Sequence, residues 1–106
     1  MALVQLFKGL SDPVRFRIVH LLTQRDELCV CHLTDALSLP QSTVSRHLNT
    51  LKSCGLVEAE RRGKWVYYRM MYSDNYVRTL SDLVKASSVD DKQLKNDFDN
   101  LKDSSC

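Results

Sequence analysis

A chain of 106 residues, 43% hydrophobic and 26% charged, is the size of one compact domain with a real but modest core. Its 15 basic and 13 acidic residues leave a formal net charge of only +2, so no global basic signature announces nucleic acid and any anion-binding surface has to be local. The opening MALVQLFKGL lacks the marks of a secretory signal, and no stretch reaches the roughly 18 apolar residues of a membrane span. The expectation is a soluble cytoplasmic protein without membrane contact.

Leu3, Leu6, Phe7 and Leu10 predict a short first helix. Asp12-Pro13 starts a second, because Asp12 can cap free backbone N–H groups while Pro13 fits the first turn. Val14, Ile18, Leu21 and Leu22 then form an apolar face that runs to about Thr23. Gln24 to Leu28 is polar and reads as a turn. Leu33, Ala36 and Leu37 predict a short helix that stops at Leu39-Pro40, since the residue before proline disfavours helix.

The next helix runs from Gln41 to Cys54, with Ser38 or Ser42 available to cap it and Gly55 suited to a left-handed close. Beyond it the period changes to about two. Leu56, Val57 and Ala59 fall on one arm of a β-hairpin and Val66, Tyr68 and Met70 on the other, with Arg62-Gly63-Lys64 between. Helical spacing returns in Tyr76, Leu80, Leu83 and Val84, and again in Leu94, Phe98 and Leu101. The expected organisation is a domain over residues 1–88 followed by a tail, 89–106, that is helical or partly disordered. The fold class is mainly α with a small β-hairpin.

On the helix from Gln41, Val44, Leu48 and Leu51 share one narrow arc, while Ser42, Ser45, Arg46 and Asn49 project on the other side. Short hydroxyls, a guanidinium and an amide can approach base edges closely, Arg toward guanine and Asn toward adenine. Gln41, Thr43 and His47 lie on the same helix, and recognition helices commonly enter the groove N-terminus first. A merely solvated face is the ordinary explanation of such a pattern. Here, however, a short helix, a turn and this helix are followed by a hairpin with Arg61, Arg62 and Lys64 at its tip, a wing suited to phosphates or the minor groove.

From Leu6 to about Leu83, roughly three quarters of the chain, the sequence resembles the ArsR (ArsR/SmtB) winged-helix metal-sensing repressors. LSDPVRFRIVHLL resembles their second helix, ELCVCHL their metal-binding segment, STVSRHLNTLKSCGLV their recognition helix and RRGKWVYYRM their wing. The resemblance implies a winged helix-turn-helix paired through its first and last helices. It implies a homodimeric repressor that leaves inverted-repeat operator DNA when it binds a toxic metal or metalloid ion.

Cys29 and Cys31 are then the expected ligands. Thiolates are soft donors that select thiophilic ions, and a helix start helps deprotonate them. ELCVC resembles the arsenic and antimony branch, so As(III) or Sb(III) is the expected inducer. The sequence departs from that branch at Thr34, where a third cysteine often stands, and at His32, where an acidic residue is usual. Cys54 and Cys106 are the candidate third ligands, with Cys54 also readable as a small buried residue before Gly55. With two thiols alone, a trivalent organoarsenical is the alternative ligand.

The N-terminal arm has no cysteine, which disfavours the four-thiolate arrangement of cadmium or lead sensors. Asp74 and Asp82 lack the histidine pair of a zinc site on the last helix. His20 and His47 read as packing or phosphate-contact residues. Four cysteines can form two disulfides, but a reducing compartment favours free thiols or metal ligands. A thiol redox sensor of the same fold is the nearest rival. A thiol oxidoreductase is the rival from another class, against which stands the absence of Cys-x-x-Cys in a βαβ pattern.

Overall fold

Three helix starts in this protein are fixed by aspartates. In the computed structural model, which describes residues 1–104, Asp12 accepts from the Val14 and Arg15 N–H groups at 2.9 and 3.1 Å. Asp74 caps Tyr76 and Val77, and Asp91 caps Leu94, in the same way. The helices are α1 (Ala2–Leu10), α2 (Pro13–Gln24), α3 (Val30–Leu37), α4 (Gln41–Ser53), α5 (Asn75–Ser87) and α6 (Lys92–Lys102). The strands are β1 (Leu28–Cys29), β2 (Val57–Arg62) and β3 (Trp65–Met70).

The start of α4 departs from expectation. Pro40 is its N-cap and no side chain caps it. Ser38 instead adopts a left-handed conformation, φ 56°, and closes α3 by donating its N–H to the Thr34 carbonyl at 2.9 Å. The end of α4 is as expected: Gly55, φ 91°, lets the Leu56 N–H return to the Leu51 carbonyl and its own N–H to Lys52.

The sheet has one strand more than the hairpin. β1 pairs antiparallel with β3, Leu28 opposite Tyr68 and Cys29 opposite Tyr67, giving the order β1-β3-β2. The segment that reads as a turn therefore ends in an edge strand, too short for any period to betray it. Between β2 and β3 the register closes at Arg62 opposite Trp65, with Gly63 at φ 62° where a two-residue turn requires it.

Ile18, Leu21, Leu22, Leu33, Val44, Leu48, Leu51, Leu56, Val57 and Val77 are fully buried and join α2, α3, α4, α5 and the sheet in one core. His20 is buried too. Its Nδ1 has no hydrogen-bond partner among the described residues, and burial pushes the imidazole pKa down, which favours the neutral form of a packing residue. On α5 the inward stripe is Val77, Leu80, Ser81 and Val84, so Tyr76 and Leu83 of the expected face point outward at 54% and 65% exposure. Leu3, Val4 and Phe7 of α1 are exposed too, and Phe7 and Leu83 line an apolar cleft with Leu10, Phe16 and Val84.

Residues 92–102 form a docked helix rather than a frayed segment. Asp97 of α6 is fully buried and receives Arg17 through two bonds of 2.9 Å. Arg17 also donates to the Leu37 carbonyl, and Asn100 donates to Ala36, both at 3.3 Å. Leu94 and Leu101 are buried beneath. Together these bonds hold the C-terminal end of α3 against α2 and α6.

Candidate functional site

Cys29 and Cys31 occupy the opposite, N-terminal end of α3. Cys29 is the N-cap residue and 5% exposed; Cys31 lies in the first turn and is half-buried. The Cys29 backbone N–H donates to His32 Nδ1 at 3.3 Å, and the Cys29 thiol lies 3.1 Å from the same nitrogen. His32 thus takes the part that glutamate plays in a capping box, which fixes both the helix start and the sulfur beside it. Because Cys29 also belongs to β1, the thiol segment is tied by backbone hydrogen bonds to the wing.

A cavity of about 370 Å³ opens beside the two cysteines. Val30 lies on the α3 side, Gln41 at the start of α4, and Trp65 and Val66 on the wing. The expected ligand pair is therefore brought to one place, in contact with both halves of the helix-turn-helix and with the hairpin.

Cys54 is elsewhere. Its thiol donates to the Leu51 carbonyl at 3.2 Å, and a Cβ added to Gly9 would fall 2.5 Å from its sulfur, so it packs where α1 crosses the end of α4. Cys29 and Cys54 carry free thiols. Among the described residues no group of three His, Cys, Asp or Glu side chains is arranged to hold a metal ion. Cys106, the other candidate, lies outside the described residues.

The outer face of α4 presents Gln41, Ser42, Arg46 and Asn49 to solvent, with Thr43 and Ser45 half-buried and Val44, Leu48 and Leu51 packed beneath. Arg46 makes no ion pair among the described residues. His47 turns away from this face: its Nδ1 lies 3.4 Å from Arg15 Nη1 and 3.9 Å from Asp12 Oδ2, against the start of α2.

The wing is divided. Arg61 and Lys64 are exposed and unpaired with any carboxylate among the described residues, Lys64 lying 5.6 Å over the Trp65 ring. Arg62 is engaged instead. It forms a two-pronged bond to Glu27 at 2.6 and 2.7 Å, reaches Glu60 at 3.1 Å and stacks 4.7 Å over Tyr67. Hydrogen bonds from Arg62 and then Arg69 hold the Glu60 carboxyl down to about 2. Glu27, two residues before Cys29, is thereby linked ionically to the wing. Sequence reasoning missed this network, although alternating Glu58, Glu60, Arg62 and Arg69 across one hairpin register would have signalled it.

A short helix capped by a left-handed serine, a second helix with a bare polar face, and a basic hairpin packed beside it define a winged helix-turn-helix. Residues 12–59 match the family model described as bacterial regulatory protein, arsR family. The chain is 49% identical over 67 residues to the arsenical resistance operon repressor of Escherichia coli K12, covering 63% of this chain and 57% of that protein. It is 48% identical over 62 residues to the cadmium resistance regulator CadC of Listeria innocua, covering 58% and 52%. The matched stretch thus spans little more than half of either relative.

Among solved structures, the homodimeric winged helix-turn-helix DNA-binding domain of a possible ArsR-family regulator from Mycobacterium bovis superposes with a TM-score of 0.70. It is 34% identical and covers 82% of this chain and 78% of that one. The protein belongs to the ArsR family of winged helix-turn-helix transcriptional regulators, and is a DNA-binding protein rather than an enzyme.

Proposed function

We propose that this protein is a homodimeric repressor of a metalloid resistance operon that releases inverted-repeat operator DNA when As(III) or Sb(III) binds Cys29 and Cys31. The observation that carries this assignment is the placement of both cysteines at the start of α3, beside one cavity that also meets the first residue of α4 and the wing. The exposed apolar surface of α1 and α5 supports pairing of two copies, as in the homodimeric M. bovis domain. Such a pair sets two α4 helices about 34 Å apart, on successive major grooves.

Thiols in a reducing cytoplasm bind a trivalent metalloid by exchanging its hydroxide ligands for sulfur, with loss of water. For an inorganic ion we assign the third sulfur to Cys106 rather than to Cys54. Ser104 donates to Asp35 at 2.9 Å, one helical turn from Cys31. Cys54 is committed to the α1–α4 contact.

Because α6 and Arg17 hold the far end of α3, closure of two sulfurs on one arsenic displaces the near end, together with β1 and the start of α4. A coupling of about 1–3 kcal/mol weakens operator binding about 5- to 150-fold. The test is fluorescence anisotropy of the reduced protein on its upstream promoter DNA, titrated with As(III), Sb(III), Cd(II), Zn(II) and peroxide. Release by trivalent metalloids, abolished in Cys29→Ser and Cys31→Ser, is the expected result. Release by peroxide alone establishes the redox sensor instead.

A further inference from the structure

We propose that Gly9 and Arg15 form a joint that locks α1 onto α4, and that Arg15 is the positioning residue that sets the spacing of the two α4 helices on operator DNA. This rests on the reading of α1 and α5 as the pairing surface and of α4 as the groove-reading helix, and adds the residues that connect them.

Along the chain α1 and α4 are separated by α2, β1 and α3, yet two contacts join them directly. The first is a close approach. α1 crosses the C-terminal end of α4 at Gly9, which is buried, and a Cβ built there would stand 2.5 Å from Cys54 Sγ and 2.8 Å from Leu56 Cδ1. Even alanine would push these neighbours aside. The second contact is the Arg15 side chain. Its Nε donates to the Gly9 carbonyl at 2.9 Å and its Nη2 to the Lys8 carbonyl at 3.2 Å, which answers two carbonyls left over at the end of α1. Its Nη1 lies 3.4 Å from His47 Nδ1 on α4. A guanidinium only donates, so that contact is a hydrogen bond when the imidazole presents a bare Nδ1. One planar, half-buried group thus uses different nitrogens on the two helices.

The joint and the pairing surface occupy different sides of α1. Leu3, Val4 and Phe7 are exposed, whereas Leu6 and Gly9 are buried toward the rest of the chain. In a pair of copies joined through α1, the separation of the two α4 helices then depends on how each α4 is held against its own α1. An inverted repeat rewards only one separation. A rigid joint holds it in advance, so that less ordering has to occur on binding.

The probe is a duplex that the unaltered full-length protein selects from random-sequence DNA, with versions whose half-sites stand one or two base pairs further apart and a version with a single half-site. Binding of reduced protein without metalloid is followed by anisotropy, the oligomeric state by sedimentation velocity and the fold by circular-dichroism melting. The unaltered protein is expected to prefer the selected spacing over the widened ones by at least about tenfold. Arg15→Ala is expected to cut that preference to about threefold or less, with affinity for the single half-site and the sedimentation of the dimer unchanged. Arg15→Lys should behave like Arg15→Ala, since one ammonium cannot span both helices. Gly9→Ala should flatten or displace the preference, and Gly9→Ala/Cys54→Ala, which removes the obstructing sulfur, should restore part of it. A merely destabilised fold would instead lose affinity for every duplex alike.

If folded, dimeric Arg15→Ala and Gly9→Ala keep the full spacing preference, the joint is refuted while pairing and groove reading stand. If the unaltered protein selects a single half-site or sits on the duplex as a monomer, the pairing reading fails and the joint falls with it. Should Arg15→Ala not fold, His47→Ala decides: it removes the α4 side of the contact and leaves Arg15 on the end of α1, and an unaltered spacing preference there overturns the assignment of Arg15.

Discussion

The two basic surfaces assigned to DNA under the proposed function are built on opposite electrostatic terms. On α4, Arg46 stands exposed on a face of short polar side chains with no carboxylate paired to it among the described residues. On the wing, Arg62 is held by Glu27 and Glu60, and Arg69 by Glu58 and Glu60, leaving Arg61 and Lys64 as the cations open to phosphate. A cation already satisfied by carboxylates releases few counterions on binding DNA and adds little affinity. Counting arginines at a hairpin tip therefore overstates its charge. What the wing's ion pairs supply is a rigid link from Glu27, beside the thiol segment, to the tip of β2.

The contrast is broken first at Arg46. Arg46→Ala is expected to weaken operator binding by about 1–3 kcal/mol and to relax sequence preference at the contacted base pair, with an unchanged melting temperature. Anisotropy against operator and single-base variants measures both. Arg62→Ala is the counterpart: operator affinity should shift less than about threefold, since exposed pairs are worth about 0–1 kcal/mol even to stability. An equal loss at the two positions abolishes the distinction between the surfaces.

A sharper version frees the guanidinium instead of deleting it. In Glu27→Gln/Glu60→Gln, Arg62 becomes available to phosphate, and the salt dependence of DNA binding should steepen by about one counterion per subunit. Lys64→Ala should shallow it by a similar amount, uniformly across DNA sequences. Measurements of log K against log salt separate these outcomes.

Much of this arrangement was legible in the residues. The helix-turn-helix followed from Leu33, Ala36 and Leu37, then Pro40, then the Val44, Leu48 and Leu51 arc, because amphipathic spacing and proline act locally. The cysteines' place at a helix start was legible for the same reason. Three features were not. β1 is two residues long and exists only through its pairing with β3. The outward turn of Tyr76 and Leu83 depends on where Asp74 starts α5 and which side meets α2. The docking of α6 rests on Arg17 and Asp97, 80 residues apart, whose pairing no local pattern contains. His47 belongs with these, since its neighbours Asp12 and Arg15 come from another helix.

The wing's carboxylates also make the contrast titratable. Glu60 has its carboxyl lowered from 4.5 to about 2, chiefly by the Arg62 hydrogen bond and then by Arg69, and the Glu27 carboxyl is lowered chiefly by Arg62. A carboxylate whose folded pKa lies below its unfolded value favours the folded state above the unfolded pKa and loses that contribution as pH falls. The window for Glu60 therefore runs from about 4.5 down to about 2. Both groups are exposed, so solvent screens the contribution and the effect on the melting temperature should be small. Carboxyl-detected NMR is the suitable measurement: the Glu60 carbon should titrate near 2 in the native protein and move toward 4.5 in Arg62→Ala, with Arg69 retaining part of the shift. An Arg62→Ala protein in which Glu60 still titrates near 2 would show that Arg69 alone holds that carboxylate, leaving Glu27 as the carboxylate that restrains Arg62.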